Sequence, residues 1–190
     1  SEVLANNPEL IDSEDVRLVA ETIQDNSQKL QQLVNAVLDL SRLESGMMKY
    51  NLSDYSLSQI CQDAISIVRM HGEFSAPEIP FDNKIDTASD IIHTDVSRLT
   101  QILSEMLDTP SRLNSDEQNG SKSSTRLTLD FCQGSNTTLC ITVKNSPMTL
   151  DAEEDSLNSI RQKIAQLFIE HFGGTFSIQT KDIVFTYPLK

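Results

Sequence analysis

The stretch "TDVSRLTQILSEMLDTPSRL", Thr94 to Leu113, decides the reading of this chain. Val96, Leu99, Ile102, Leu103, Met106 and Leu107 recur at three- and four-residue spacing, which puts them on one face of a helix over about 95–108. Pro110 ends that helix, because proline offers no N–H and its ring clashes with the preceding turn. The polar residues at its C-terminal end are Glu105, Asp108, Thr109 and Arg112. A helix with one wide apolar face needs a sheet or further helices to cover it.

The flanking sequence supplies both. "TRLTLDFCQ" and "TTLCITVKN" alternate apolar and polar residues and are joined by "GSN", a hairpin signal. "TFSIQTKDIVFTYPL" reads as a closing hairpin that turns near Lys181 and Asp182, and a further strand is expected around Ile79 to Ile85. Amphipathic helices are expected from Ser56 to about Met70 and from about Leu157 to Phe172, the latter stopped by Gly173-Gly174. Residues 114–124 and 146–156 are polar loops. The order predicts an α+β domain with helices on one face of a largely antiparallel sheet, occupying residues 47–190.

Residues 1–46 read differently. A short helical piece, "SEVLANN", ends at Asn7-Pro8. A long helix follows, with Ser13 as N-cap and Val16, Val19, Ile23, Leu30, Leu33, Val37 and Leu40 in alternating spacing. At roughly 30 residues it spans about 45 Å, too long for one compact domain to cover. The pattern points to a helical hairpin or bundle that dimerises through residues 13–44, with a lone amphipathic helix lying on its own domain as the alternative. Asn26 in the seam fixes register or is a tolerated polar residue. Gly46 ends the helix, and "MMKYNLSDYSL" is a linker with a strand-like piece from Lys49 to Leu52.

Composition narrows the function classes. The chain has 190 residues and a net charge of -13, a surface that repels nucleic acid and anionic lipid. No apolar run approaches the ~18 residues of a membrane span, so nothing here is expected to cross a membrane, and the chain is expected to be cytoplasmic, or the cytoplasmic part of a membrane-anchored protein, without direct membrane contact. Cys61, Cys132 and Cys140 lack metal-ligand spacing and read as buried structural thiols. The chain begins at Ser1 without methionine, so it is expected to be a piece of a longer protein.

At this point the chain resembles the C-terminal half of a two-component sensor histidine kinase. "LQQLVNAVLDLSRLESGMMKYNLSDYSL" is similar to the second helix of the dimerisation and phosphotransfer domain, running into the start of the ATP-binding domain. "TDVSRLTQILSEML" is similar to the family's "TDxxRLxQILxNLLxNAxKF" helix, and "IEHFGGTFSIQT" with "IVFTYPL" to its closing helix, glycine pair and hairpin. The resemblance implies a partial dimerisation and phosphotransfer hairpin at 1–46 and a histidine kinase/gyrase/Hsp90-like two-layer α/β sandwich at 47–190.

The polar motifs depart from the family. The phospho-acceptor histidine of an "H-E-x-R-T-P-L" segment is expected upstream of Ser1; His71, His93 and His171 lie outside that motif and read as structural or surface histidines. Glu105 and Thr109 stand where the family has its two Mg²⁺-holding asparagines, Pro110 replaces the following alanine, and Arg112 matches the usual cation. Gyrase-type relatives carry a glutamate at the first of these positions, but keep the asparagine four residues on. Glu105 and Asp108 read as a solvated acidic helix end rather than a metal site. "ITVKNSPMT" offers Asn145 in place of the adenine-binding aspartate and lacks both glycines of "D-x-G-x-G". No glycine lies between Asn145 and Gly173, and Glu153, Glu154 and Asp155 stand where phosphates approach.

Glu105, Thr109, Arg112 and Asn145 are therefore the positions of a degenerate nucleotide site, and no cofactor is expected to bind tightly. The leading expectation is a pseudokinase-type signalling module that dimerises, takes part in a phosphorelay and contacts a response regulator. The alternative is an active ATP- and Mg²⁺-dependent histidine kinase using Glu105, Arg112 and Asn145 unconventionally. A purely structural adaptor is a third reading.

Overall fold

The computed structural model describes residues 14–71, 79–85, 90–107, 125–133, 137–146, 156–180 and 182–189. "SEVLANN", Ser13, Asp108, Thr109, Pro110, Arg112, the "GSN" turn and residues 147–155 lie outside them.

Helix α1, Glu14–Glu44, ends as its glycine requires. Gly46 sits at φ +66°, Gly46 N–H donates to the Leu43 carbonyl at 3.1 Å and Met47 N–H to that of Arg42 at 3.0 Å. This is the glycine-terminated pairing that satisfies a helix's last carbonyls. The α1 stripe is only partly covered. Leu33, Leu40 and Leu43 are half-buried, while Val19, Ile23, Leu30, Val34 and Val37 are 47–61% exposed, and Asn26 is exposed among them.

Strand β1, Leu52–Ser56, leads directly into helix α2, Leu57–His71. The strand starts where the expected Lys49–Leu52 piece was to end. It pairs antiparallel with β3, Ile91–Asp95, a strand absent from the sequence reading. The junction into α2 is closed by Asp90, which is fully buried. Its backbone carbonyl accepts from Leu57 N–H at 3.0 Å, and its Oδ2 accepts from Ser58 N–H at 2.7 Å and the Ser56 hydroxyl at 3.0 Å. The free N–H groups of a helix start are thus met by a residue more than 30 positions away.

The main sheet has five strands in the order β2-β4-β5-β7-β6, comprising β2 (Phe81–Asn83), β4 (Arg126–Phe131), β5 (Thr138–Lys144), β6 (Phe176–Gln179) and β7 (Asp182–Pro188). Every pairing is antiparallel except β2 with β4. Helix α3, Val96–Leu107, and helix α4, Ser156–His171, join α2 on one face. Leu127, Leu129, Leu139, Ile141, Val143, Ile183 and Phe185 point into that layer and are fully buried.

Helix α3 buries the face read from its spacing: Leu99, Ile102, Leu103, Met106 and Leu107 are buried, with Val96 packed at the edge. Helix α4 ends through Gly173, at φ +79°, and Gly174. A Cβ on Gly174 would stand 2.1 Å from the Thr186 carbonyl oxygen, so the glycine lets α4 run down onto β7. Tyr187 fills the centre, its hydroxyl bonded to Thr94 at 2.6 Å. One expectation needs correcting. Cys61 is buried, but Cys132 and Cys140 are half-buried, because strand alternation turns them to the sheet face opposite the helices.

Candidate functional site

The polar end of α3 is organised by Asp95, the residue just before the helix. Its carboxylate accepts from Ser97 Oγ at 2.8 Å, Arg98 N–H at 3.2 Å and, from the linker after α1, Asn51 N–H at 2.9 Å. Burial pushes the Asp95 pKa up, but these hydrogen bonds and the Arg98 charge outweigh it and hold the carboxyl below its usual range. One side chain thereby caps α3 and ties it to the linker that follows α1.

Arg98, one turn into α3, reaches α1 and donates from Nη1 to Asp39 Oδ2 at 2.9 Å. Two turns further on, Glu105 accepts from Gln101 Nε2 at 3.0 Å and faces Arg161 of α4, with Nε 3.8 Å from Oε2. Each of these two side chains keeps only about a quarter of its surface exposed, 25% for Glu105 and 24% for Arg161. Between α1, α3 and α4 lies a cleft of about 140 Å³ whose polar lining includes Asn35, Asp39, Arg98, Gln101, Glu105 and Arg161. Small-molecule sites typically measure about 300–1,000 Å³.

Asn145 stands at the end of β5 with φ +51°, a left-handed backbone that asparagine tolerates better than most residues. Its N–H donates to Asp182 Oδ1 at 2.9 Å and its carbonyl accepts from Thr125 Oγ1 at 3.2 Å. The next residue, Ser146, is fully buried and donates to the Met106 carbonyl at 2.7 Å. That bond ties the Asn145 segment to the last turn of α3 at Met106. Thr109 and Arg112 lie outside the described residues.

Sequence reasoning missed Arg161, Arg98 and Asp39 as parts of this site. Arg161 falls in register with Ile164, Ala165 and Phe168, so a cation inside the inward stripe of α4 is the signal that identifies it. Asp39 carries no such signal, since its partner depends on how α1 lies against α3. Of the histidines, His93 pairs with Asp54 across β1 and β3 at 2.6 Å, and His171 stacks on Tyr50 with ring centroids 4.6 Å apart. Among the described residues no group of three or more His, Cys, Asp or Glu is placed to hold a metal ion.

The comparisons fit this geometry. No protein-family model matches the chain. Two curated relatives do: the circadian input-output histidine kinases CikA of Synechococcus elongatus, 27% identical over 85 residues, and of Synechocystis sp., 32% identical over 85 residues. Among solved structures, the Acinetobacter baumannii histidine kinase AdeS aligns with a TM-score of 0.59 at 13% identity, over 97% of this chain and 91% of that one. The chain is thus similar to sensor histidine kinases, in sequence over 85 residues and in fold over nearly its whole length. Full-length ShkA, solved in complex with AMPPNP, aligns with a TM-score of 0.62 at 15% identity, over 93% of this chain and 39% of that one. At such identities the structural matches show the fold: a helical segment followed by the sheet-containing domain of histidine kinases. The CikA alignments cover 45% of this chain and 11% of each relative, so the chain spans a small part of their length. Among the described residues no helix is long and apolar enough to cross a membrane.

Proposed function

We propose that the chain is the C-terminal part of a sensor histidine kinase-like signalling protein whose nucleotide position no longer binds Mg²⁺–ATP tightly. It acts through dimerisation, phosphotransfer and contact with a response regulator. The observation that carries this reading is the Glu105–Arg161 pair across α3 and α4. In the resemblance Glu105 stands at the first metal-holding asparagine. Here its carboxylate is engaged by a cation of the facing helix and by Gln101.

The adenine position supports the same reading. Asn145 is wired through its backbone to Asp182 and Thr125, in a left-handed conformation, where the family has an aspartate followed by glycines. These residues fit Mg²⁺ and a triphosphate poorly. Dimerisation draws on α1, whose stripe from Val19 to Val37 is left open to solvent by its own domain, as a coiled-coil seam is before its partner arrives. The test is titration with a fluorescent ATP analogue and Mg²⁺. Absence of saturable binding in the micromolar range supports the proposal, and micromolar affinity favours an active kinase with divergent motifs.

A further inference from the structure

The face of the main sheet turned away from the helices carries two of the three thiols. Cys140 lies in β5 between the core residues Leu139 and Ile141, and the register sets it directly opposite Asp130 of β4. Cys132 follows the last residue of β4, and its N–H donates to the Thr138 carbonyl at 2.9 Å, which continues the ladder by one step. The two cysteines are therefore diagonal neighbours on the same face of adjacent strands. Both are half-buried, and Cys140 is near enough to help raise the pKa of Cys132.

We propose that Cys132 and Cys140 form a two-thiol modification site, which a small-molecule disulfide converts to an intrachain Cys132–Cys140 disulfide. The chemistry balances without any other reagent. One thiolate attacks the small disulfide, forms a mixed disulfide and releases one small thiolate. The second cysteine then attacks the protein sulfur of that bond and releases the other. The protein loses two electrons and two protons, and the small disulfide is reduced to two thiols.

Geometry sets the cost of closure. Diagonal neighbours in a regular ladder stand about 7–8 Å apart between Cα atoms, and a disulfide spans about 4.4–6.8 Å, so the bond draws the strands together by roughly 1 Å. Cys132 is placed to supply that movement, because it lies just beyond the β4 end and ahead of the hairpin connection rather than in the core ladder. Burial, with the neighbouring Cys140, raises the Cys132 pKa, so its thiolate is a minor species at neutral pH. Attack through Cys132 accelerates about tenfold per pH unit until that pKa is reached. Cys61 is an internal control: fully buried in α2, beside Asp90, its thiol is pushed far above the ordinary range.

The experiment exposes the reduced 190-residue chain to glutathione disulfide at mildly alkaline pH. The reaction is quenched with N-ethylmaleimide and analysed by intact mass and peptide mapping. The expected product carries an internal bond between the peptides holding Cys132 and Cys140, no retained glutathione, and a Cys61 that reacts only after unfolding. At least one of the Cys132→Ser and Cys140→Ser chains retains a glutathione that the parent expels. Stable glutathione on the parent's Cys132 or Cys140, or no reaction at either thiol in the parent, overturns the proposal. Because the readout involves no nucleotide, it stands or falls separately from the proposed function.

Discussion

Removing Glu105 and Arg161, singly and together, probes the contact that closes the space between α3 and α4. At 3.8 Å, two unit charges in an effective dielectric near 20 attract by about 4 kcal/mol before desolvation is counted. Both side chains are about a quarter exposed, and the separation exceeds a hydrogen bond. Solvent screening and the loss of side-chain freedom then leave a net coupling of about 0.5–1 kcal/mol. Arg161→Ala costs more than the coupling alone, because it leaves Glu105 half-buried with Gln101 as its remaining described donor. Urea unfolding of the parent, Glu105→Ala, Arg161→Ala and the double variant gives the coupling as the departure from additivity. In roughly 1 M salt, where the screening length falls to about 3 Å, the coupling is expected to shrink by half or more. Additivity within about 0.3 kcal/mol at low salt refutes the reasoning, since the two charges would then not be engaged with each other.

Other perturbations test the frame that holds this contact. Gly174→Ala sets a methyl group against the Thr186 carbonyl at 2.1 Å and Ile169 at 2.8 Å, and is expected to destabilise by about 1–3 kcal/mol or more, read as a lower melting temperature. Asp95 has a depressed folded pKa, so its contribution is complete above the unfolded value of about 3.9 and is lost as pH falls through the folded one. The stability gap between the parent and Asp95→Asn is therefore expected to be largest near neutrality and to close below about pH 4, measured by denaturation across pH. Leu30→Glu with Val37→Glu puts charges into the exposed α1 stripe. Under the proposed dimerisation, sedimentation is expected to show a dimer for the parent and a monomer for the variant, with unchanged circular dichroism of the remaining domain.

What the sequence disclosed tracks how local each signal is. The apolar face of α3 is legible because helical spacing depends on neighbours three and four positions away, and the same holds for α2 and α4. Gly46 and Gly173-Gly174 are legible as stops because left-handed caps favour glycine whatever the tertiary context. Strand β3 escaped because "IIHTD" is short and half polar, and its partner β1 lies some 40 residues earlier, so only the tertiary pairing makes it a strand. The half-exposure of Cys132 and Cys140 was available in the alternation of "TLCITVK", where Leu139, Ile141 and Val143 take the inward phase. Apolar surroundings argued for burial, and the strand phase decided otherwise. At the site, Glu105 and Asn145 were named through the resemblance. Arg161, Arg98 and Asp39 were not, because ion pairs between helices depend on packing angles that no single-helix pattern encodes.

On the proposed reading, the space between α3 and α4 keeps the fold of a nucleotide site and lacks the arrangement that holds Mg²⁺ and phosphates. Direct titration of the chain with Mg²⁺ and a fluorescent ATP analogue, competed with unlabelled ATP, tests it most simply. The expected result is no saturable, competable signal through the micromolar range; competable binding with micromolar affinity overturns the proposed loss of the site.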